Sequence, residues 1–336
     1  YGLASTEFGD DYLAVLQQTQ PLGLGMLPGA FDRTRTYGRY ALYVQDRVSL
    51  LNGRLHIKPG LRLSHYGLMG QSVLAPRLQV RAALSPATTL RGAWGQYSQS
   101  PGYEKLMMSR DRIPLSEATD LSRLRAERAT HYVVGLTHQW GHGYSVTADA
   151  YLKTMRDLIV PAWQSTAAVQ ARYTGEAPRT HAAGYALERT TTWQRTAMLT
   201  NNGGGRAYGV EVALRKAAHR TARLSGHISY TYARSTRSAP LAETTTVQRP
   251  FAYDRRHTLN AVGTLRLSSH WTFGASFRFG TGFPHTTPTG ATPVVVGTAR
   301  DETRILTHSQ TGAVRFTPTF GGPERRGAAR LPAYHR

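Results

Sequence analysis

The feature that most constrains this chain is a regular alternation of apolar and polar residues in segments of about ten residues. From Leu55 to Ser64, apolar residues or proline occupy every odd position, and polar residues or glycine occupy every even one. Similar alternation recurs at 76–84, 144–153 and 271–279. Because successive side chains of a β-strand point to opposite faces, each segment predicts a strand with one apolar and one polar face.

The length of these segments favours a membrane protein. Many run for about ten to fifteen residues, whereas strands of soluble proteins average about five or six and a tilted membrane-spanning strand needs about nine to eleven. Polar-face cations such as Arg77, Lys153 and Arg278 stay hydrated in a water-filled lumen, although the solvated face of a sandwich would also accept them. The predicted fold is all-β: an antiparallel transmembrane β-barrel, represented by about ten or eleven strands of a larger barrel.

The spacing of the strands predicts their orientation. Ten strands are predicted near 38–50, 54–66, 76–85, 88–99, 127–140, 143–157, 206–216, 220–234, 256–267 and 270–282, and an eleventh near Leu331. Short connections at 51–53, 86–87, 141–142, 217–219 and 268–269 alternate with long ones at 67–75, 100–126, 158–205, 235–255 and 283–330. Outer-membrane barrels have short periplasmic turns and long outer loops, so the long connections are assigned to the outer side.

Composition narrows the function classes. The absence of cysteine excludes disulfides and thiolate metal sites, and no run of about 18 apolar residues predicts a transmembrane helix. The net charge of +21 permits binding to nucleic acid, anionic lipid or an acidic ligand, and it also fits a genome that favours arginine codons. Because the arginines are spread over strand faces and loops, no nucleic-acid partner is expected.

Nine stretches occur in an order that points to one membrane-protein family. They are Tyr40–Asp46 (YALYVQD), Lys58–Arg62 (KPGLR), Ala75–Leu78 (APRL), Thr89–Tyr97 (TLRGAWGQY), Glu127–Leu136 (ERATHYVVGL), Ala207–Glu211 (AYGVE), Arg249–Asn260 (RPFAYDRRHTLN), Phe279–Pro284 (FGTGFP) and Leu331–Arg336 (LPAYHR). In this order, from about Tyr37 to Arg336, they resemble the barrel of TonB-dependent outer-membrane receptors.

The resemblance implies a receptor in the bacterial outer membrane that takes up a scarce nutrient such as a ferric siderophore, cobalamin or a glycan. Its implied partners are outer-membrane lipid, the nutrient, and the TonB system of the inner membrane, which acts through an N-terminal plug. We expect residues 1–336 to be one fragment of the barrel domain, with 1–36 as an extracellular loop and with the plug and last strands outside the chain. The alternative is a passive porin or a secretion barrel, which would lack the plug.

Ligand contacts are expected from inward residues near the outer rim and from long loops. The candidates are Tyr97, Tyr103, Arg128, His131, Arg206 and Arg278. No cofactor is expected. His138 and His142 flank a tight turn that is poorly arranged for shared metal ligation, and Asp254 to His257 should be solvated or paired charges. Without a nucleophile–base pair, the chain is not expected to be an enzyme.

Overall fold

A computed structural model describes residues 38–101, 123–218, 222–240, 246–296, 303–311, 313–320 and 329–335. One large antiparallel sheet dominates it. Its strands are β1 (Arg39–Gln45), β2 (Val48–Leu50), β3 (Leu55–Tyr66), β4 (Gln71–Ala83), β5 (Thr88–Gln99), β6 (Glu127–Trp140), β7 (Tyr144–Tyr173), β8 (Tyr185–Lys216), β9 (Leu224–Pro240), β10 (Thr246–Pro250), β11 (His257–Arg266) and β12 (Thr272–Gly280). Six short strands follow, β13 (Pro284–His285), β14 (Pro288–Pro293), β15 (Val295–Val296), β16 (Arg304–Ile305), β17 (Phe316–Phe320) and β18 (Ala329–Arg330), before β19 (Tyr334–His335).

The sheet follows chain order, as a barrel wall does. Its path is β1-β3-β4-β5-β6-β7-β8-β9-β11-β12-β19, with β2 beside β3 and β10 beside β9. Among the described residues the sheet stays open, because β1 and β19 do not pair with each other. β19 pairs with β12 at Gly280 and Phe279, as expected of an eleventh strand near Leu331. The partial-barrel prediction is therefore confirmed.

The pairing register places polar and apolar side chains on opposite faces of the sheet. Polar partners such as Lys58 and Gln79 lie on one face, and apolar partners such as Leu63 and Leu74 lie on the other. The apolar face stays uncovered in the isolated chain. Among its exposed side chains are Leu61, Leu63, Leu74, Leu78, Tyr132, Val134, Leu136, Val210, Val212, Leu214, Ile228, Tyr230, Leu265, Phe273 and Phe277. An exposed apolar face of this extent matches a surface that lipid covers.

Among the described residues, no helix combines the length and the apolar character that a membrane crossing requires.

Three of the connections predicted to be long differ in the structure. Residues 67–75 were predicted as a loop, but a turn at 67–70 joins β3 directly to β4, because Gly70 adopts the left-handed conformation that closes it (φ 58°). Residues 158–205 were predicted as one loop, but β7 and β8 continue through them as a long hairpin that turns between Tyr173 and Tyr185. The connection at 283–330 contains three nested antiparallel pairs, β13 with β18, β14 with β17 and β15 with β16.

Buried apolar residues form a small cluster at the long-loop end. Tyr66, Met69 and Val73 pack there with Leu124 and Ala126 from the segment before β6, and with Leu199 of β8. The amide oxygen of Gln71 accepts a hydrogen bond from the N–H of Ala126 at 2.8 Å. This cluster fixes the segment before β6 against the inner side of β3 and β4.

Candidate functional site

The polar face of the sheet is concave and lines a partly open cavity of about 720 Å³. Strands β3 to β8 supply most of its lining, and the charged or polar members are Arg47, His56, Lys58, Gln79, Arg81, Arg91, Asp149, Tyr151, Lys153 and Glu211. Five of these side chains are cationic and two are anionic. The concave wall therefore presents net positive charge to its interior, which favours anions.

An ion pair crosses one strand of this wall at a glycine. Arg91 on β5 and Asp149 on β7 are both register partners of Gly135 on β6, and an Arg91 Nη2 donates to Asp149 Oδ1 at 2.8 Å. A Cβ at Gly135 would lie 1.8 Å from that oxygen. Because Gly135 has no side chain, Arg91 and Asp149 on the two flanking strands have the space to form this ion pair.

Nearer the long-loop end, three side chains stack on the same wall. The Arg77 guanidinium lies 4.6 Å from the centroid of the Tyr97 ring, and the Tyr97 and His131 ring centroids are 4.4 Å apart. Gly95 is the partner of both Arg77 and His131 in the sheet, so no side chain separates the layers. A cation on an aromatic face and a second ring behind it form one continuous recognition surface. We call Arg77, Tyr97 and His131 the lumenal stack.

Lys153 adds a second cation beside the lumenal stack. It is the register partner of His131 across β6 and β7, and its ammonium group lies 5.3 Å from the ring centroid of Tyr151. Arg77 and Lys153 therefore flank the aromatic pair of Tyr97 and His131 from opposite sides. Such an arrangement can hold an anionic ligand that also offers a flat surface to an aromatic ring.

The structure brings two of the predicted site residues together and separates the others. Tyr97 and His131 are in contact in the lumenal stack. Arg278 faces the same concave side, as the partner of Asn260, but it lies on β12, five strands away from β6. Strands are about 4.8 Å apart, so Arg278 cannot share one small ligand with the stack. Tyr103 lies outside the described residues.

The inward placement predicted for Arg128 and Arg206 is wrong. Arg128 is four residues from Tyr132 on β6 and Arg206 is two residues from Tyr208 on β8, so an even spacing puts each on the outward face with its tyrosine. The Arg206 guanidinium lies 5.5 Å from the Tyr208 ring centroid. Both arginines are at the rim, as predicted, but on its outside.

Arg77, Gly95 and Lys153 were not among the predicted site residues. Alternation had already placed Arg77 and Lys153 on the polar face. Their meeting with Tyr97 and His131 depends on the pairing register of four strands, which the sequence alone does not specify. In the sequence, the available signal for this contact was the glycine at position 95. In the structure it lies between Arg77 and His131 of the two neighbouring strands.

The remaining polar motifs have structural partners. His138 Nδ1 lies 2.8 Å from Thr88 Oγ1, and within the described ranges no group of three side chains is arranged to hold a metal ion. Asp254 pairs with Arg256 at 2.9 Å, as expected of paired charges at a strand entry. Gly203 to Gly205 were predicted as part of a loop, but they belong to β8.

Comparisons with known proteins agree with this architecture. A family model described as "TonB dependent receptor-like, beta-barrel" matches residues 1–334. The outer membrane transporter YddB from Escherichia coli superposes with a TM-score of 0.50 at 11% identity, over 84% of this chain and 37% of that protein. The siderophore receptor PirA from Acinetobacter baumannii gives a TM-score of 0.50 at 13% identity, over 88% of this chain and 38% of that one. No curated protein sequence matches.

This chain thus spans less than two-fifths of the length of either solved protein. Identities this low establish a common fold alone, whereas the family match extends over nearly the whole chain and confirms the resemblance seen in the sequence motifs. An antiparallel wall with a lipid-facing apolar side and a concave polar side has the architecture that this family requires. The chain belongs to the TonB-dependent receptor-like β-barrel family of the bacterial outer membrane.

Proposed function

We propose that the protein takes up a scarce anionic nutrient, such as a ferric siderophore, through its barrel in a TonB-coupled reaction. The observation that carries the proposal is the cationic concave wall, with Arg77 and Lys153 flanking the aromatic pair of Tyr97 and His131. The extracellular loop expected at 1–36 lies outside the described residues, and we further propose that the plug lies outside residues 1–336.

Electrostatics supports an anionic ligand. A concave wall with low-dielectric surroundings focuses the field of its cations and raises the local concentration of anions. Tyr97 is 37% exposed, which leaves part of its surface open for a ligand ring.

Uptake is expected to require TonB. In cells that express the intact receptor, deletion of the host TonB should abolish accumulation of a labelled ferric siderophore, because the family's barrels are occluded by a plug. A passive porin or secretion barrel would leave accumulation unchanged. The measurement is the initial rate of uptake in paired strains with equal amounts of receptor in the outer membrane, and a TonB-independent rate would reject energy coupling.

Neutralising Arg77 and Lys153 should weaken ligand binding. In the intact receptor, the Arg77→Gln/Lys153→Gln double variant is expected to bind an anionic ferric siderophore at least about a hundredfold more weakly, because the two lost hydrogen bonds to charged groups contribute about 1.5–3 kcal/mol each and about 1.4 kcal/mol corresponds to a tenfold change in affinity. Binding is measured by titration of the purified receptor in detergent. Arg54→Gln/Arg223→Gln removes the same charge near the short turns and should change the affinity less than about twofold, since exposed charges at that distance are screened.

An equal affinity of the two double variants for the siderophore would show that the lumenal stack is not part of the binding site. It would leave TonB-coupled uptake standing, because the dependence on TonB is measured separately. The two experiments therefore distinguish an error about the ligand site from an error about the transport class.

A further inference from the structure

Four arginines lie on the apolar, outward face of four successive strands. Arg128 on β6 and Arg156 on β7 are direct register partners. Arg206 on β8 pairs with Thr154 of β7 and with Thr236 of β9, and Arg234 on β9 pairs with Tyr208. We call Arg128, Arg156, Arg206 and Arg234 the outer arginine cluster.

All four lie about one membrane-spanning length from the short-turn end. Arg128 is twelve residues from Trp140 on β6, and Arg156 is twelve from Tyr144 on β7. Arg206 is ten residues from Lys216 and Arg234 is ten from Leu224. A tilted strand crosses the hydrocarbon with about nine to eleven residues, so the outer arginine cluster lies where the hydrocarbon ends and the outer headgroups begin.

Outward-facing aromatic rings mark both boundaries of this band. At the short-turn end Trp140 stacks on Tyr144, with centroids 5.9 Å apart and planes 8° apart. At the other end Tyr132 is 47% exposed, and Tyr208 occupies the same sheet row. Aromatic girdles sit at the two interfaces of a bilayer. The outer arginine cluster lies level with the outer girdle or beyond it.

Local charge in the cluster is unbalanced. Arg128 and Arg156 face each other directly across two strands. Like charges in this position are destabilising. None of the four arginines forms an ion pair with a carboxylate of the described chain, and the adjacent carboxylate of Asp157 is held by Arg125 at 2.9 Å. Arg234 donates to the Tyr208 hydroxyl at 3.4 Å. An external anion would relieve this repulsion.

We propose that the outer arginine cluster binds the phosphate groups of the glycolipid that surrounds this end of the barrel. A guanidinium offers two parallel N–H donors that match the oxygens of a phosphate, and four of them on neighbouring strands can bridge two phosphate groups of one headgroup. The acyl chains of the same lipid would lie on the apolar residues below, which include Val134 and Val210. The proposal needs only the membrane barrel and is independent of the transported nutrient.

The test measures lipid binding to the intact receptor. The purified protein, in phosphatidylcholine nanodiscs, is titrated with diphosphorylated lipid A, and bound lipid is counted by native mass spectrometry. Changing all four cluster arginines to Gln should weaken binding at least tenfold, since each basic residue near a membrane surface contributes about 1 kcal/mol. Changing them to Lys keeps the charge and loses the paired donors, so intermediate binding is expected.

A matched control carries the same loss of charge at the opposite end. Arg54, Arg215, Arg223 and Arg266 are changed together to Gln, and this variant should bind the lipid like the unmodified protein. Lipid A without phosphates should bind no better to the unmodified protein than to the cluster variant. The proposal is overturned if the cluster variant keeps its affinity, if the control loses as much, or if millimolar inorganic phosphate displaces the lipid, which would indicate a site for free anions.

Discussion

Replacing Asp254 by Asn is expected to destabilise the barrel by about 3–5 kcal/mol, because it removes one partner of a buried ionic network. Asp254 is 1% exposed. Its carboxylate accepts hydrogen bonds from the N–H of Ser235 at 2.6 Å, from Arg256 Nε at 2.9 Å and from Arg330 Nη2 at 2.6 Å. The neutral amide would leave both guanidinium groups without their counter-charge.

The same network joins parts of the chain that are far apart in sequence. An Nη1 of Arg330 donates to the backbone carbonyl of Asp254 at 2.7 Å and to that of Gly282 at 3.2 Å. Asp254 thereby connects β9, the entry to β11 and the short strand β18. Its loss should therefore loosen the packing of the last described strands as well as lower the overall stability.

The measurement is the urea midpoint for unfolding of the intact receptor in lipid vesicles, followed by tryptophan fluorescence. Glu188→Gln serves as the control, because Glu188 pairs with Arg172 in an exposed position on the β7–β8 hairpin. Exposed pairs contribute about 0–1 kcal/mol, so this variant should unfold close to the unmodified protein. Equal shifts for the two variants would contradict the structural role of Asp254.

The sequence was sufficient to predict the strands and their faces within the membrane. Lipid outside and water inside require strict alternation there, so Leu55 to Ser64 and Tyr144 to Lys153 were assigned correctly. Beyond the membrane that requirement ends. The extensions of β7 and β8 pair mainly with each other, so backbone hydrogen bonds stabilise them without a regular apolar pattern, and the same residues were predicted as a loop.

The candidate site was harder to predict because it depends on register. Tyr97 and His131 were identified as inward residues near the rim, and both belong to the lumenal stack. Arg128 and Arg206 were named as candidates together with Tyr97 and His131, among inward residues near the outer rim and long-loop residues. Counting residues from Tyr132 and Tyr208 places both arginines on the outward face.

Gly209 shows how register explains a sequence motif. It is the glycine of the AYGVE stretch and faces inward on β8, opposite Tyr151 of β7. A Cβ at this position would lie 2.4 Å from the backbone oxygen of Tyr232 and 2.7 Å from the hydroxyl of Tyr151. The tyrosine ring can rotate away, but the neighbouring strand cannot move without breaking its ladder. A side chain at position 209 therefore meets backbone as well as a ring.

Gly209→Val is expected to destabilise the barrel by about 3 kcal/mol, at the upper end of the range for overpacking. The urea midpoint should fall, and separation of β8 from β9 should speed hydrogen exchange of the amides in both strands. Gly92→Val on β5 is the matched control, because a Cβ there meets nothing within 4 Å and valine favours strands. It should be neutral or slightly stabilising. Equal destabilisation by both substitutions would mean that strand flexibility, and not the contact with Tyr232, requires the glycine.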